Sequence, residues 1–247
     1  MSPAIAPEPV DSIPTPVPAS PTATMTAVDA ACYLISSSWD RWQFAFSGAS
    51  WADYQRLLDV RVAAGRKAVR ITYSDGEVEI VSVGNLHERW KKTLSAMIET
   101  FLIDTGVDFA PSGGMSIRRE DLDKGFEPDD CYYIQNVGLA DGYRDLDFSK
   151  DPPPDLAVEV ENTRSAVPKL PIYAAFRVPE VWRFDGEELT ILRLDPAGNY
   201  VPVAASVAIP TLPVAELARF LKLAPSVKYP EIVRQFREFI RSLPSAS

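Results

Sequence analysis

The chain has 247 residues, of which 46% are hydrophobic and 24% are charged, so it can bury the core of one ordinary globular domain. The net charge of −9 argues against a general nucleic-acid binder, because such proteins are usually basic. One histidine rules out most histidine-based zinc sites, and two cysteines rule out a disulfide framework. We therefore expect a cytoplasmic protein without a secretory signal or a membrane-spanning helix.

The composition divides the chain into three parts. Residues 1–25 are rich in Pro, Ala, Ser and Thr, and they predict a disordered arm because they bury too little apolar surface to offset ordering. Residues 26–225 carry the regular hydrophobic patterns and predict one domain, and residues 226–247 predict a C-terminal helix.

Helical and strand patterns alternate along the predicted domain. Aromatic and β-branched residues predict an early strand within Cys32–Phe46, and Ser50 begins a helix that ends at Gly65. The further predicted helices are 86–105, 167–176, 214–221 and 231–242, and the further predicted strands are 69–74, 77–83, 107–110, 115–118, 129–134, 155–160, 181–184, 189–194 and 200–204. This order predicts an α/β fold, in which a mixed sheet carries helices on its faces.

Acidic residues concentrate in the middle of the chain. From Glu120 to Glu161 there are thirteen acidic residues and only three basic ones. Asp129 stands at the mouth of one predicted strand, and alternation places Asp155, Glu159 and Glu161 on one face of another. Three buried acids on one strand need compensation, and a divalent cation provides it with few groups. A solvent-facing edge strand is the alternative explanation.

Lys169 lies at the start of the helix predicted after this strand. A helix there can bring the ammonium group back over the acids of the strand. An ammonium group in that place can orient an attacking water and offset charge in a phosphoryl transition state. For a lone lysine, an ordinary surface position is the alternative.

A series of short motifs resembles the bacterial Uma family of endonucleases, which belongs to the PD-(D/E)xK nuclease superfamily. The resemblance covers about residues 47–225. Its motifs are Asp75-Gly-Glu-Val-Glu79, Leu86-His87-Glu88, Glu127-Pro-Asp129, Pro154-Asp155-Leu-Ala-Val-Glu159-Val, Lys169-x-x-x-Tyr173 and Val178-Pro-Glu-Val-Trp182-Arg-Phe-Asp185-Gly186.

The resemblance implies a restriction-endonuclease-like fold and a metal-dependent DNA endonuclease, with Mg²⁺ or Mn²⁺ as cofactor. It implies that Asp129 and Glu159 hold the metal ion, with the carbonyl of Val160 as a further ligand. The superfamily has a lysine two residues after the glutamate, where this chain has Glu161, so the resemblance implies that Lys169 takes over that role. Glu161 is then a further acid at the metal or a partner of Lys169.

The resemblance also draws attention to the start of the long helix. Glu88 resembles a helical acid that many of these nucleases use in catalysis, and the neighbouring His87 is similar to the family pattern. A lone histidine is more often a capping or packing residue than a functional one, so both interpretations of His87 stay open.

The expected partner is duplex DNA, and the weak point of that expectation is the charge of the chain. The basic residues considered for DNA contact are Arg89, Lys91, Lys92, Arg118, Arg119, Arg234, Arg237 and Arg241. A homodimer would add contacts, and the predicted hairpin 181–194 is a candidate edge for it.

Two other functions compete with an active nuclease. One is a nuclease-fold protein without activity that acts as a binding or regulatory module. The other is a glycosidase that uses Asp129 and Glu159 as an acid–base pair, which would need an aromatic sugar platform. Trp182, Tyr132 and Tyr133 are the candidates for that platform, although core positions suit them better.

Overall fold

We analysed a computed structural model that describes residues 25–37, 41–140, 146–161 and 165–243. Residues 1–24 of the predicted arm lie outside the described residues. Within the described ranges the helices are α1 (Ala27–Ser37), α2 (Trp51–Ala63), α3 (Asn85–Thr105), α4 (Val137–Ala140), α5 (Lys169–Ala175), α6 (Val214–Leu221) and α7 (Tyr229–Ser242). The strands are β1 (Gln43–Ser47), β2 (Val69–Ser74), β3 (Glu77–Ser82), β4 (Ala110–Pro111), β5 (Ile117–Arg119), β6 (Lys124–Phe126), β7 (Asp130–Tyr133), β8 (Leu156–Val160), β9 (Glu180–Phe184), β10 (Leu189–Leu194) and β11 (Tyr200–Val203).

The α/β fold is confirmed, but its strands form two sheets where the sequence predicted one. The first sheet has the order β1-β3-β2-β6-β5, and all its neighbours run antiparallel. The second sheet has the order β11-β10-β9-β8-β7-β4, in which only β8 and β9 are parallel. Helix α5 connects this parallel pair, as a crossover between parallel strands requires.

Apolar residues of β8 alternate between two cores. Leu156, Val158 and Val160 pack with α3, α6 and α7 on one face of the mixed sheet. Ala157 packs with α5 and the β5–β6 hairpin on the other face. The predicted alternation is therefore confirmed, and the alternative of an edge strand is wrong because β8 lies between β7 and β9.

The early strand predicted within Cys32–Phe46 is wrong in its first part. Residues Ala27–Ser37 form α1, which buries Ala31, Leu34 and Ile35 against the first sheet. These positions follow the three- and four-residue spacing of a helix, which outweighs the β-branched and aromatic content of the segment. The strand begins only at Gln43.

Two predictions near the ends of the domain have different outcomes. The final predicted helix is present as α7, and it buries Ile232, Phe236 and Ile240 in the same core as α3. The hairpin 181–194 does not form a sheet edge, because β11 pairs with the outer side of β10. The candidate dimer edge therefore belongs to β11 in this fold.

Candidate active site

The carboxylate of Asp129 is fixed at the point where β7 begins. Its backbone N–H donates to the carbonyl of Val158 (3.1 Å), and its Oδ2 accepts a hydrogen bond from the N–H of Val160 (2.8 Å). Its Oδ1 lies 2.9 Å from Nε2 of His87 and 4.0 Å from Nε of Arg70. The side chain is almost fully buried, so these contacts hold one orientation.

Glu159 lies on the neighbouring strand β8 and is also buried. Its Oε2 is 2.7 Å from Nζ of Lys169, and its Oε1 accepts a hydrogen bond from the hydroxyl of Tyr173. Both donors come from α5, because the crossover to β9 returns this helix over the acid-bearing face of β8. The structure thus brings Asp129, Glu159 and Lys169 together at the C-terminal end of β8.

The two carboxyl groups differ in acidity. Burial opposes ionisation of Asp129, but the hydrogen bond and charge of His87, with the charge of Lys169, hold its pKa below the ordinary value. Burial raises the pKa of Glu159 despite the charge of Lys169, and the neighbouring charge of Asp129 adds to this rise. For Lys169 the charges of Glu159 and Asp129 outweigh burial and raise its pKa, so it is protonated at neutral pH.

Val160 and Glu161 are the other two metal ligands that the sequence analysis named. Both residues line a cavity beside Asp129 and Lys169, and the carboxylate of Glu161 accepts a hydrogen bond from Arg183 (2.5 Å). The charge partner of Glu161 in direct contact is therefore Arg183 and not Lys169.

Glu88 is partly exposed, and its nearest basic partner is Lys91 at 4.0 Å. The first turn of α3 directs His87 towards Asp129, and the structure does not bring Glu88 to the site.

The first sheet supplies cavity residues that sequence reasoning missed. Arg70 on β2 and Glu79 on β3 both line the cavity. Glu79 is buried and binds the segment before α5, accepting hydrogen bonds from the N–H of Ala166 (2.6 Å) and the hydroxyl of Ser165. An acid inside an apolar strand was the available signal for Glu79, the same signal that identified Glu159. No local pattern marks Arg70, since its partner Asp129 is distant in sequence.

The cavity between the two sheets is small, with a volume of about 50 Å³. It has room for only a few groups the size of a water molecule. Such a space suits a single phosphate group at its mouth, and a whole nucleotide does not fit inside it.

The donor set fits a magnesium-type ion. Within the described residues, no group of three or more His, Cys, Asp and Glu side chains is arranged to hold a metal. Asp129 and Glu159 provide two carboxylates, and each bonded oxygen retains a second lone pair. Mg²⁺ is commonly bound by one or two carboxylates together with waters and substrate phosphates, so a complete protein cage is not required.

The three aromatic residues considered as a sugar platform for a glycosidase do not lie at the surface. Trp182, Tyr132 and Tyr133 are fully buried. Trp182 also donates its indole N–H to Glu180 (2.6 Å), so it serves the core of the mixed sheet.

The chain matches the model of a known protein family. The profile of the Uma2 family, described as "Putative restriction endonuclease", matches residues 51–224. No curated protein matches the chain. In the described part of the chain, none of the helices combines the length and the apolar character needed to span a membrane. The family match includes both sheets from β2 onwards and all three residues of the acidic centre, which are Asp129, Glu159 and Lys169. The chain therefore belongs to the Uma2 family.

Proposed function

We propose that this protein is a divalent-metal-dependent DNA endonuclease that hydrolyses phosphodiester bonds. The observation that carries the proposal is the convergence of Asp129, Glu159 and Lys169 in an Uma2 fold, with Asp129 and Lys169 lining a cavity and Glu159 buried behind them against Lys169. Two carboxylates and one ammonium group, held on rigid elements, are the groups that metal-assisted phosphoryl hydrolysis needs.

Asp129 and Glu159 are the proposed ligands of Mg²⁺ or Mn²⁺, and Val160 and Glu161 are proposed to add oxygens from the same cavity wall. The low pKa of Asp129 keeps this carboxylate ionised at neutral pH, as a ligand must be. A bound ion would supply positive charge to the phosphate oxygens and lower the pKa of an attacking water.

Lys169 acts as a hydrogen-bond donor in this proposal. Its raised pKa keeps it protonated, so it orients the water and offsets negative charge on the phosphate but does not act as the general base. His87 holds Asp129 in place from the far side and is a positioning residue. Glu88 receives no catalytic role, because its charged contact is Lys91 on the same helix and not Lys169 or Asp129.

Cleavage of supercoiled plasmid in Mg²⁺ or Mn²⁺ tests the proposal. Wild-type protein should nick or linearise the plasmid, and Asp129→Asn and Lys169→Ala should each lower the rate by roughly 100-fold or more. Lys228→Ala is the control, since Lys228 is an exposed lysine at the start of α7 and does not line the cavity. Absence of cleavage across a wide range of salt and metal concentrations would instead favour an inactive binding or regulatory module.

A further inference from the structure

A second cleft, with basic walls, adjoins the cavity that Asp129 and Lys169 line. It has a volume of about 320 Å³ and lies between the end of α2, the start of β2 and the segment around Gly114. Four cationic side chains line it, of which Arg61 is paired with the carboxylate of Glu127 and Arg66 donates to backbone carbonyls. The cleft therefore keeps a local excess of positive charge within a chain of net charge −9, and such an excess attracts an anionic partner. The four cationic side chains are Arg61, Arg66, Lys67 and Arg70.

Arg70 joins this basic cleft to the acidic centre. It lines both spaces, its Nε lies 4.0 Å from Oδ1 of Asp129, and its Nη1 donates to the carbonyl of Lys67 (2.8 Å). Arg70 is therefore the side chain that the two spaces share.

Gly114 keeps the wall of the cleft open beside Arg70. A Cβ atom at this position would lie 3.0 Å from the carbonyl oxygen of Pro128 and 3.4 Å from Nη2 of Arg70. A larger residue would therefore crowd the guanidinium group, and the glycine preserves its access to the cleft.

The charge of Lys67 is available for a partner. Its side chain is exposed, and it makes no ion pair within the part of the chain that the structure describes. Most of the basic residues that the sequence suggested for DNA contact are engaged elsewhere. Arg237 and Arg241 bind Asp104, Arg234 binds Glu231, Arg119 binds Asp121, and Arg89 donates to the carbonyl of Val227.

We propose that the basic cleft binds a backbone phosphate of the DNA strand next to the phosphate that is cut. This inference rests on the proposed function, and it names the surface that recognises the substrate. Each strand of a duplex carries one phosphate per roughly 3.4 Å of helix axis. A strand whose reacting phosphate lies at the cavity beside Asp129 therefore carries further phosphates past Arg70 into the cleft. Lys67 and Arg70 hold one of them, and this contact fixes the register of the strand without reading its sequence.

Fluorescence anisotropy with a labelled duplex in EDTA tests the inference, since no cleavage occurs without metal. Loss of one phosphate contact in Lys67→Ala should weaken binding by roughly 5- to 10-fold at 0.1 M salt. It should also reduce the slope of log affinity against log salt by about 1. Lys228→Ala, a matched exposed lysine at the start of α7 and outside the cleft, should change the affinity by less than about twofold.

Three outcomes would overturn the inference: no duplex binding by the wild type at low salt, unchanged binding by Lys67→Ala, or an equal loss in Lys228→Ala. The cleavage assay reports separately on the proposed function. Binding that depends on Lys67 without cleavage would refute only the nuclease activity. Cleavage by a protein whose binding ignores Lys67 would refute only the phosphate cleft.

Discussion

The mixed sheet contains two buried glutamates on neighbouring parallel strands, and their surroundings differ. Glu180 opens β9, and its donors are neutral groups of the fold: the indole of Trp182, the hydroxyl of Ser206 and the N–H of Val207. Glu159 stands near the end of β8, and its donors are the buried phenol of Tyr173 and the ammonium group of Lys169, which lines the cavity together with Asp129. Burial of a carboxylate alone does not mark a functional site. A charged partner at a solvent-connected edge, beside a second carboxylate, distinguishes Glu159 from Glu180.

Removing the ammonium group of Lys169 should give the largest effect on the stability of the protein. In Lys169→Met, Glu159 keeps only Tyr173 as a donor, and an unpaired buried carboxylate costs about 3–5 kcal/mol of unfolding free energy. Lys169 lowers the pKa of Glu159 against the effect of burial, so its removal raises that pKa further. The loss is therefore smallest below about pH 4, where Glu159 is protonated, and larger as the pH rises, because ionisation then favours the unfolded state. Urea denaturation at several pH values measures it.

The double variant Lys169→Met, Glu159→Gln is the control for that prediction. It removes the charge that was left unpaired, so it should recover most of the lost stability while remaining inactive on DNA. A double variant no more stable than Lys169→Met would show that Lys169 stabilises the protein by packing and not by pairing with Glu159.

Glu180→Gln should have an intermediate effect on stability. The amide cannot accept from all the donors that meet the carboxylate, and lost or mismatched buried hydrogen bonds cost about 1–3 kcal/mol. Thermal unfolding measures this cost. DNA cleavage per folded molecule should stay within about twofold of the wild type, because no contact links Glu180 to the acidic centre. A large loss of cleavage in a folded Glu180→Gln protein would erase the distinction between the two glutamates.

The smallest expected effect concerns the pairing of α3 with α7, away from both glutamates. Asp104 accepts hydrogen bonds from Arg237 (2.6 Å), and this contact holds its pKa below the ordinary value. Asp104→Asn should cost about 0.5 kcal/mol at neutral pH. A lowered pKa gives stability that is present above the ordinary value and is lost on acidification, so the variant and the wild type should converge below about pH 3. A difference that persists in acid would point to packing instead of charge.

Much of the fold follows from local patterns in the sequence. The capping box at Ser50 and Asp53, the long apolar stripe of α3 and the continuous apolar run of β8 each predict their element closely. The segment 27–37 was misjudged because β-branched and aromatic residues also occur in short buried helices. The division into two sheets was missed, since pairing between distant strands leaves no mark on either strand alone.

The candidate site was predictable only where a residue type conflicts with its surroundings. Glu159 in an apolar strand is such a conflict, whereas the prediction for Lys169 rested on the helix expected after that strand and on the family resemblance. His87 and Arg70 reach Asp129 from other elements, and only the tertiary structure shows that they meet. Glu88 and His87 were adjacent candidates, and the choice between them depends on the rotation of α3, which the sequence did not determine.

The most direct test of the account is the initial rate of duplex DNA cleavage as a function of Mg²⁺ concentration, measured for the wild type, Glu159→Gln and Glu180→Gln. We predict a rate that rises with Mg²⁺ and saturates in the wild type and in Glu180→Gln, and a loss of roughly 100-fold or more in Glu159→Gln. Equal rates in Glu159→Gln and the wild type, or cleavage that persists in EDTA, would contradict a metal-dependent centre at Asp129 and Glu159.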